Sequence, residues 1–547
     1  AADMAREGLI STEEAILRQN PEEFELLLHT SVSPSFKGKE IAKGIPASPG
    51  VATGMIVLDW REAEHLSQMG HPVILVRNET SAEDIRGMVA AVGILTTRGG
   101  KTSHAAVVAR GMGKPAVVGA ESIRIVFEGG FLDIPPHRIR KYDIITLDGS
   151  TGAVFLGDVP KSPPSLFPEM QELLQWADGY RTLKVRMNAE TLEDVEKGKA
   201  MGAEGIGLAR TEHMFFGENR IGLFRELILL ALYERRLRDV RDGESIRIRL
   251  RASIEKIQQI QQEDFRAILE KMEGFPVVVR LLDPPLHEFL PKTDETISTL
   301  AKQTGIHSEF IRSAIEALQE VNPMLGHRGI RLIVTFPEIA LIQVKALAQA
   351  TAELLQQGKK VFPSIMLPLV GFQEELTLIR EYIQSTIQEV SEQTGIPLHI
   401  PIGTMIELPR SCITADQIAP YVDFFSFGTN DLTQTVLGFS RDDAGKFLPD
   451  YIERKILPAD PFTVLDREGV GKLIEIAVEK GRKAQPHLEI GICGEHGGDP
   501  SSIEFFLNIG VDYVSTSPYR VPVAKLSAAI AELKKKKRIS EISRRDI

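Results

Sequence analysis

From Lys184 onward, short apolar runs alternate with longer segments of helical pattern, and this alternation limits the fold more than any other feature of the sequence. Eight strands, each followed by a helix, form a (β/α)8 barrel. A doubly wound open sheet is the competing α/β architecture. The eight runs cover residues 184–188, 205–210, 277–283, 363–370, 400–408, 423–431, 489–495 and 512–518.

The placement of polar residues favours the barrel. In a barrel the carboxyl ends of all strands meet at one mouth, where reactive groups collect. Structural residues that were independent of one another would not all gather at the same end of successive strands. The polar residues at these ends are Asn188, Arg210, Arg280, Asp283, Glu407, Asn430, Asp431, Cys493 and Glu495.

The chemistry of this set indicates a phosphorylated acid and a divalent metal. Arginines such as Arg210 and Arg280 bind phosphate and carboxylate groups through a rigid fork of donors. Two carboxylates from different strands, Glu407 and Asp431, suit a Mg²⁺ ion that keeps some waters and takes substrate oxygens. Ion pairs between these arginines and carboxylates, without a metal, are the structural alternative. For Cys493 the alternative is an inert core thiol.

The run FSFGTNDLTQ, residues 425–434, is the densest of the strand ends. Gly428 lets the backbone approach a ligand closely, and Thr429, Asn430 and Asp431 then present a hydroxyl, an amide and a carboxylate. Further candidates are Arg441 in the following loop and Arg328 in NPMLGHRGIRL.

The region before the barrel has a different texture. Residues 1–36 predict two short helices, one capped by Ser11 with Glu14 three residues later and one opened by Pro21. From about Ile41 to Gly157, short β-type runs are punctuated by glycine, with one helix in SHAAVVARGM. Four prolines in residues 158–169 indicate a stiff linker. The predicted divisions are a helical remnant or linker at 1–37, a β-rich domain at 38–157, a proline-rich linker at 158–178 and the barrel at 179–547.

His104 opens the helix of the β-rich domain, directly after the polar loop TTRGGKTS. Free N–H groups and the helix dipole stabilise an anion at such a position, and imidazole is a competent nucleophile at neutral pH. We therefore consider His104 a candidate phosphoryl carrier, with donors from Arg98, the loop glycines, Thr102 and Ser103. A helix cap or a simple acid or base is the alternative.

Composition excludes several classes of function. The chain has 64 basic and 75 acidic residues, and its net charge of -11 argues against nucleic acid as the main partner. Two cysteines are too few for a disulfide framework and indicate a reducing compartment such as the cytoplasm. No apolar run approaches the about 18 residues of a membrane helix, so no membrane partner is expected. The first residue is not Met, and we expect a processed or shortened piece of a longer chain.

Several long motifs resemble those of enzymes that use phosphoenolpyruvate. The segment GGKTSHAAVVARGMGKPAVVG is similar to the phosphohistidine signature of pyruvate phosphate dikinase, phosphoenolpyruvate synthase and Enzyme I of the sugar phosphotransferase system. The motifs of the barrel resemble those of pyruvate phosphate dikinase in particular, and the similarity runs from the first residues to about Ala529. The barrel motifs are GLARTEHMFF, RLLDPPLHEFLP, NPMLGHRGIRL, GTMIELPR, FSFGTNDLTQTVLGFSRDD, GICGEHGGDPSSIEFF and VDYVSTSPYRVPVAKLSAA.

The resemblance implies a fold and a set of roles. It implies an α/β chain in which a swivelling β/β/α phosphohistidine domain precedes a (β/α)8 barrel that binds phosphoenolpyruvate and pyruvate. His104 would take the phosphoryl group, and Cys493 would protonate the enolate carbon. The resemblance also implies that Glu407 and Asp431 hold Mg²⁺. The residues that match the family's substrate site are Arg210, Arg280, Glu407, Gly428, Thr429, Asn430 and Asp431.

The sequence also departs from the family pattern. Lys101 replaces an expected methionine, Ala116 stands where cysteine is common, and the glycine-rich loop of an N-terminal ATP-grasp domain is absent. A separate ATP-grasp domain or a phosphocarrier protein is therefore an expected partner, and a homodimer through the barrel is a family expectation. The resemblance to plant members adds the plastid stroma as a location if the chain is from a plant. It also raises Thr102 as a phosphorylation switch, although a helix cap and phosphate donor is the favoured role for this residue.

Three functions follow as hypotheses. The first is the partial reaction of a dikinase between phosphoenolpyruvate and His104. The second is an Enzyme I type transfer to a carrier protein, which is disfavoured because the β-rich stretch has no room for a helical carrier-docking subdomain. The third is a non-catalytic regulator that binds phosphoenolpyruvate, against which the retention of Cys493 argues.

Overall fold

The computed structural model describes residues 1–26, 28–81, 84–100, 103–111, 113–162, 166–215, 218–236, 243–291 and 293–545. The chain divides into two compact units. Unit 1 comprises Ala1–Tyr180 and Gly438–Val464, and unit 2 comprises Arg181–Leu437 and Leu465–Ile547. Within the described ranges, no helix is long and apolar enough to cross a membrane.

Unit 1 is rich in short strands, as the glycine-punctuated sequence predicts. In chain order its strands are β1 (Ser31–Val32), β2 (Ala42–Lys43), β3 (Ile45–Ser48), β4 (Val51–Val57), β5 (Val73–Arg77), β6 (Gly93–Thr96), β7 (Ala116–Val118), β8 (Arg124–Val126), β9 (Phe131–Ile134), β10 (His137–Arg140), β11 (Ile144–Asp148), β12 (Ala153–Leu156) and β13 (Lys161–Ser162).

These strands form one large sheet and two small ones. The large sheet has the order β2-β12-β11-β4-β5-β6-β7-β3, in which β4 to β7 run parallel. The strands β8, β9 and β10 form an antiparallel sheet, and β1 pairs with β13. Both faces of β5 are buried: Ile74 and Val76 contact the core shared with the small sheet, whereas Val73 and Leu75 contact the helices. This is the predicted β/β/α layering.

The helices of unit 1 cover one face of the large sheet and the N-terminal region. They are α1 (Ala2–Arg6), α2 (Thr12–Leu17), α3 (Pro21–Leu26), α4 (Trp60–Gln68), α5 (Ile85–Ala90), α6 (His104–Gly111), α7 (Pro168–Tyr180), and, from the later segment, α19 (Arg441–Ala444) and α20 (Leu448–Glu453). The predicted cap is present, because Oγ of Ser11 accepts from the N–H of Glu14 at 3.1 Å. The helix α1 was not predicted.

The described parts of the expected linker, residues 158–178, include a short strand and most of a helix. The pairing of β13 with β1 orders residues 161 and 162. The helix α7 contacts the N-terminal helices, since Nε of Arg6 lies 2.9 Å from Oε2 of Glu172 and the hydroxyls of Thr12 and Tyr180 lie 2.7 Å apart.

Unit 2 contains a closed barrel of eight parallel strands, which confirms the predicted (β/α)8 fold. The barrel closes through pairing of the first strand with the last. The strands are β14 (Lys184–Asn188), β15 (Ile206–Arg210), β16 (Pro276–Arg280), β17 (Phe362–Leu367), β18 (Ile402–Ile406), β19 (Phe424–Phe427), β20 (Glu489–Ile492) and β21 (Tyr513–Thr516).

Helices connect the barrel strands and, in places, extend well beyond one per strand. They are α8 (Leu192–Ala200), α9 (Glu218–Arg236), α10 (Gly243–Lys271), α11 (Asp294–Thr304), α12 (Ser308–Leu318), α13 (Ile330–Thr335), α14 (Pro337–Gln356), α15 (Gln373–Thr394), α16 (Pro409–Ile413), α17 (Ala415–Ile418), α18 (Thr429–Leu437), α21 (Lys472–Ala484), α22 (Pro500–Asn508) and α23 (Val521–Arg545). The insertions after β15 and β16 share an apolar core around Phe224, Phe289 and Ile311.

An aromatic plug fills the amino-terminal end of the barrel. The ring of Tyr513 is fully buried, and a Cβ on Gly491 would lie 1.9 Å from its Cζ, so the neighbouring strand needs glycine there. The guanidinium of Arg186 lies 3.8 Å from the Tyr513 ring centroid and pairs with Glu489. The interior is therefore packed at this end, as is usual for such barrels.

Candidate active site

Arg280 ends β16 and lies at the centre of a buried ion network at the carboxyl end of the barrel. Its guanidinium pairs with Glu212, and its Nη1 lies 3.0 Å from Oδ2 of Asp283. Burial opposes the charge of Arg280, but these carboxylates outweigh burial and raise its pKa, so the group stays protonated. Its Nε is buried without a hydrogen-bond partner, which leaves one donor for an anion.

Arg328 joins this network to the next part of the mouth. Its Nη2 lies 2.7 Å from Oδ2 of Asp283 and its Nη1 lies 3.2 Å from Oδ1 of Asp431. Although burial alone would raise the pKa of Asp283, Arg280 and Arg328 together lower it, and the carboxylate stays ionised. One guanidinium thus bridges two carboxylates from different strand ends.

Glu407 follows β18 and is almost completely enclosed, with 1% of its surface exposed. Its Oε1 accepts from the N–H of Leu369 at 2.6 Å, whereas its Oε2 is buried without a hydrogen-bond donor. Burial, followed by the negative charges of Asp431 and Asp283, raises the pKa of Glu407 well above its ordinary value. A cation beside Oε2 would relieve this charge repulsion.

The residues after β19 lie on a helix rather than on the strand that the sequence predicted. The strand ends at Phe427, and Thr429, Asn430 and Asp431 form the first turn of α18. Gly428 lies between the two elements, and a Cβ there would lie 2.4 Å from Oε2 of Glu407. Any larger residue at position 428 would therefore collide with the Glu407 carboxylate.

The thiol of Cys493 lies just after β20 and is buried, with 2% of the residue exposed. It donates to the carbonyl oxygen of Phe427 at 3.4 Å. Burial raises the pKa of Cys493 to about 11, so the sulfur carries its proton at neutral pH. Asn188 lies beside it, because its Nδ2 donates to the Cys493 carbonyl at 3.4 Å. A protonated thiol in this place is suited to giving a proton rather than to acting as a nucleophile.

Arg210 lies closer to solvent than the other arginines. It ends β15, its side chain is 28% exposed, and its Nη1 pairs with Glu190. The second oxygen of Glu190 lies 3.6 Å from Nδ1 of His213. Because one carboxylate holds Arg210 at the rim, this guanidinium is oriented but still accessible to a ligand.

The donors of the mouth fit a Mg²⁺ ion. Magnesium in enzymes is bound through one or two carboxylates, with water and substrate completing the octahedron. Glu407 and Asp431 are coupled by charge, and Oε2 of Glu407 lacks a partner. Across the described side chains, no group of three or more His, Cys, Asp or Glu residues is arranged to hold a metal ion by itself.

The histidine segment belongs to unit 1. Backbone positions make His104 the first residue of α6, and Oγ of Ser103 accepts from the N–H of Ala106 at 3.4 Å, so serine provides the helix cap. The side chain of His104, and the whole of Lys101 and Thr102, lie outside the described residues. The loop before the helix needs glycine, since Gly99 has a φ of +101°.

The structure brings together most of the predicted strand-end groups. Arg441 is an exception, because its segment groups with unit 1. The side chain of Glu495 is exposed. Sequence reasoning missed Glu190 and Glu212, which pair with Arg210 and Arg280. Each lies within a few residues of a strand end and carries the charge that neutralises an arginine there.

Two family models match the chain. The PEP-binding domain of PEP-utilising enzymes matches residues 167–533, and the mobile domain of PEP-utilising enzymes matches residues 69–152. A citrate lyase from Burkholderia xenovorans covers 34% of this chain, and this chain covers 53% of it, at 14% identity and a TM-score of 0.23, which is too low to bear on the fold.

Curated relatives cover nearly the whole chain. Pyruvate, phosphate dikinase of Rhizobium meliloti is 50% identical over 97% of this chain and 58% of its own length. The chloroplastic pyruvate, phosphate dikinase of Mesembryanthemum crystallinum is 49% identical over 97% of this chain and 55% of its own length. The pyruvate, phosphate dikinase of Clostridium symbiosum is 48% identical over 98% of this chain and 60% of its own length. The chain therefore spans little more than half of these relatives, and it belongs to the family of PEP-utilising enzymes.

Proposed function

We propose that this chain moves a phosphoryl group between phosphoenolpyruvate and His104 and so produces pyruvate. The observation that carries the proposal is the buried network of Arg280, Asp283, Arg328 and Asp431 at the barrel mouth, beside the protonated thiol of Cys493. The proposed carrier domain covers residues 38–157 and the proposed substrate domain covers residues 179–547.

The arginines provide for the two anionic ends of the substrate. Arg210 at the rim is the phosphate ligand, and Arg280, whose Nε lacks a partner, is the deeper anion ligand. The first turn of α18 adds Gly428, Thr429 and Asn430 as the substrate-binding loop. Fixed donors of this kind stabilise charge that develops on the enolate oxygen without having to reorganise.

We assign Glu407 and Asp431 as the residues that hold Mg²⁺. When bound, such an ion neutralises negative charge on the substrate oxygens. The chain's own contribution is to orient the two carboxylates, since the N–H of Leu369 donates to the buried Glu407 and Arg328 pairs with the partly buried Asp431.

The proposed reaction is a phosphoryl transfer followed by a protonation. A ring nitrogen of His104 forms a bond to phosphorus, and the bond between phosphorus and the enol oxygen breaks. The electron pair of that bond stays on the oxygen and gives the enolate of pyruvate. The Cys493 thiol then gives its proton to the terminal carbon, and the resulting thiolate recovers a proton from water. In the reverse direction the thiolate removes the methyl proton.

The wider setting of this reaction is also part of the proposal. Since the relatives are named pyruvate, phosphate dikinase and are longer, we propose that the phosphoryl group is exchanged with ATP through a separate ATP-grasp domain, or passed to a phosphocarrier protein. A homodimer through the barrel and a location in the cytoplasm, or in the plastid stroma of a plant, complete the proposal.

Labelling with phosphoenolpyruvate tests the central step. The chain is incubated with Mg²⁺ and phosphoenolpyruvate that carries ³²P, and protein-bound label is tested for lability to acid and stability to base. We expect such label on the wild type, on a His65→Asn control in the exposed part of α4, and not on His104→Asn. Unlabelled wild type would overturn the enzymatic function, and label that persists in His104→Asn would overturn the assignment of the carrier.

A further inference from the structure

The segment after β20 is attached both to the end of β19 and to the first turn of α18. The N–H of Cys493 donates to the Phe427 carbonyl at 3.1 Å. The N–H of Glu495 donates to Oδ1 of Asn430 at 3.1 Å. Because Oδ1 of Asn430 accepts this bond, its amide N–H₂ is turned toward other partners. Backbone groups of one strand end thus fix a side chain that the proposed function places in the substrate site.

His496 adds a side-chain contact that neither the sequence motifs nor the proposed chemistry explains. It is fully buried in the turn Glu495–Gly498, and its Nδ1 lies 2.8 Å from Oγ1 of Thr429. Thr429 is also fully buried. A buried imidazole needs hydrogen-bond partners, and the first residue of α18 supplies one of them.

The close packing of this turn requires glycine at two positions. A Cβ on Gly494 would lie 1.8 Å from Oγ1 of Thr429, so a side chain there would displace the hydroxyl that His496 contacts. On the other side of the turn, a Cβ on Gly497 would lie 2.6 Å from the carbonyl oxygen of Ser515. The turn is therefore held closely between α18 and β21.

We propose that His496 is a positioning residue that sets the Cys493 thiol relative to the first turn of α18. Cys493 is three residues before His496, and Asp431 is two residues after Thr429, so one side-chain hydrogen bond links the proton donor to the metal and substrate ligands. The proposal rests on the proposed function, because it concerns the alignment of its protonation step. Small misplacements of a catalytic group lower the rate of its step while leaving binding almost unchanged.

Replacement of His496 separates this role from general stability. We expect His496→Leu to lower the kcat for exchange of the pyruvate methyl protons with solvent by about tenfold to 100-fold, with a change of less than about threefold in the KM for pyruvate. His496→Asn places a polar atom near the position of Nδ1 and should recover most of the exchange rate. His399→Leu, in an exposed loop before β18, is the control and should exchange at the wild-type rate.

The partner residue gives a second approach. Thr429→Val removes the same hydrogen bond from the other side and should by itself lower the exchange rate, so the role can be tested even if His496→Leu does not fold. Where both variants fold, the loss in the double variant should be clearly less than the product of the separate losses. Normal exchange in His496→Leu would overturn the positioning role. The positioning role would also be overturned if His496→Leu lowered methyl-proton exchange and phosphorylation of His104 equally and His496→Asn recovered neither. Failure of the wild type to become labelled would instead overturn the proposed function itself.

Discussion

The backbone N–H of Leu369 donates to Oε1 of Glu407 at 2.6 Å, and Leu369 makes this contact from a left-handed backbone conformation with a φ of +59°. Such a conformation is uncommon for a residue with a branched side chain and is kept where the surroundings require it. The contact fixes one oxygen of a buried carboxylate and leaves the other directed at the barrel mouth.

Replacing Glu407 by glutamine should stabilise the metal-free protein and abolish its response to Mg²⁺. The raised pKa of Glu407 means that the folded chain holds this proton more tightly than the unfolded chain, so stability falls as the pH rises above about 4.5. Glutamine does not titrate, and the advantage of Glu407→Gln should therefore grow as the pH rises above the ordinary pKa of a glutamate. Thermal melts with a chelator measure this difference; lower stability of the variant at pH 8 would contradict it.

Replacing Cys493 should stop proton transfer without unfolding the chain. A general acid contributes about 10²-fold to 10⁴-fold, and a loss of this size is expected for methyl-proton exchange of pyruvate in Cys493→Ala. Since the thiol titrates near pH 11, the wild-type exchange rate should show no inflection from Cys493 between pH 6 and pH 9. Cys412→Ala is the matched control, because Cys412 is also buried but lies on α16. Undiminished exchange in Cys493→Ala, followed by NMR in D₂O, would remove the thiol from the mechanism.

A methyl group on Gly428 should disturb the Glu407 carboxylate specifically. The added Cβ would lie 2.4 Å from Oε2 of Glu407 and 2.8 Å from the sulfur of Met405. We expect Gly428→Ala to cost about 1–3 kcal/mol and to raise the Mg²⁺ concentration needed for half-maximal labelling. In Gly222→Ala, within α9, the added Cβ meets no atom within 4 Å, and this change should stabilise by up to about 1 kcal/mol. Equal Mg²⁺ requirements in the two variants would show that Gly428 has no such function.

Arg328→Lys should weaken the site although it keeps the charge. A guanidinium bridges Asp283 and Asp431, whereas an ammonium is a single point charge and does not reach both. We expect the KM for phosphoenolpyruvate to rise by about tenfold, and Arg328→Met to destabilise by about 3–5 kcal/mol because a buried pair is broken. Arg312→Lys, at an exposed pair with Asp294, should change stability by less than about 1 kcal/mol. Labelling kinetics and denaturant melts decide between these outcomes.

The barrel was predictable because its strands are short, apolar and separated by helical segments, and because polar residues follow them. Asp283, Glu407 and Cys493 were placed correctly at the mouth by this pattern alone. The role of Arg328 was not predictable, since its two partners lie 45 and 103 residues away along the chain and meet it only in the fold. A sequence signal existed in the glycine that follows, because Gly329 has a φ of +56° and a Cβ there would press on Leu369.

The first turn of α18 shows where the sequence misled. FSFGTND continues the apolar run of β19 into polar residues without a proline or a charge at the change, and we extended the strand to Asp431. Gly428 marks the actual change, because the chain must pass closely by Glu407 at that point. The helices α2 and α3 were predicted from the Ser11 cap and from Pro21, whereas α1, which has no side-chain cap, was missed. The strands β8 to β10 were missed because each has only three or four residues.

The aromatic plug around Tyr513 determines the end of the barrel from which a ligand reaches the interior. Tyr513, Arg186 and Glu489 fill the interior at the amino-terminal end, which leaves the carboxyl end, where Arg280 and Glu407 lie, as the side from which a ligand reaches the proposed site. Under the proposed function, phosphoenolpyruvate and pyruvate occupy the same place at that end. An excess of pyruvate should therefore compete directly with phosphoenolpyruvate.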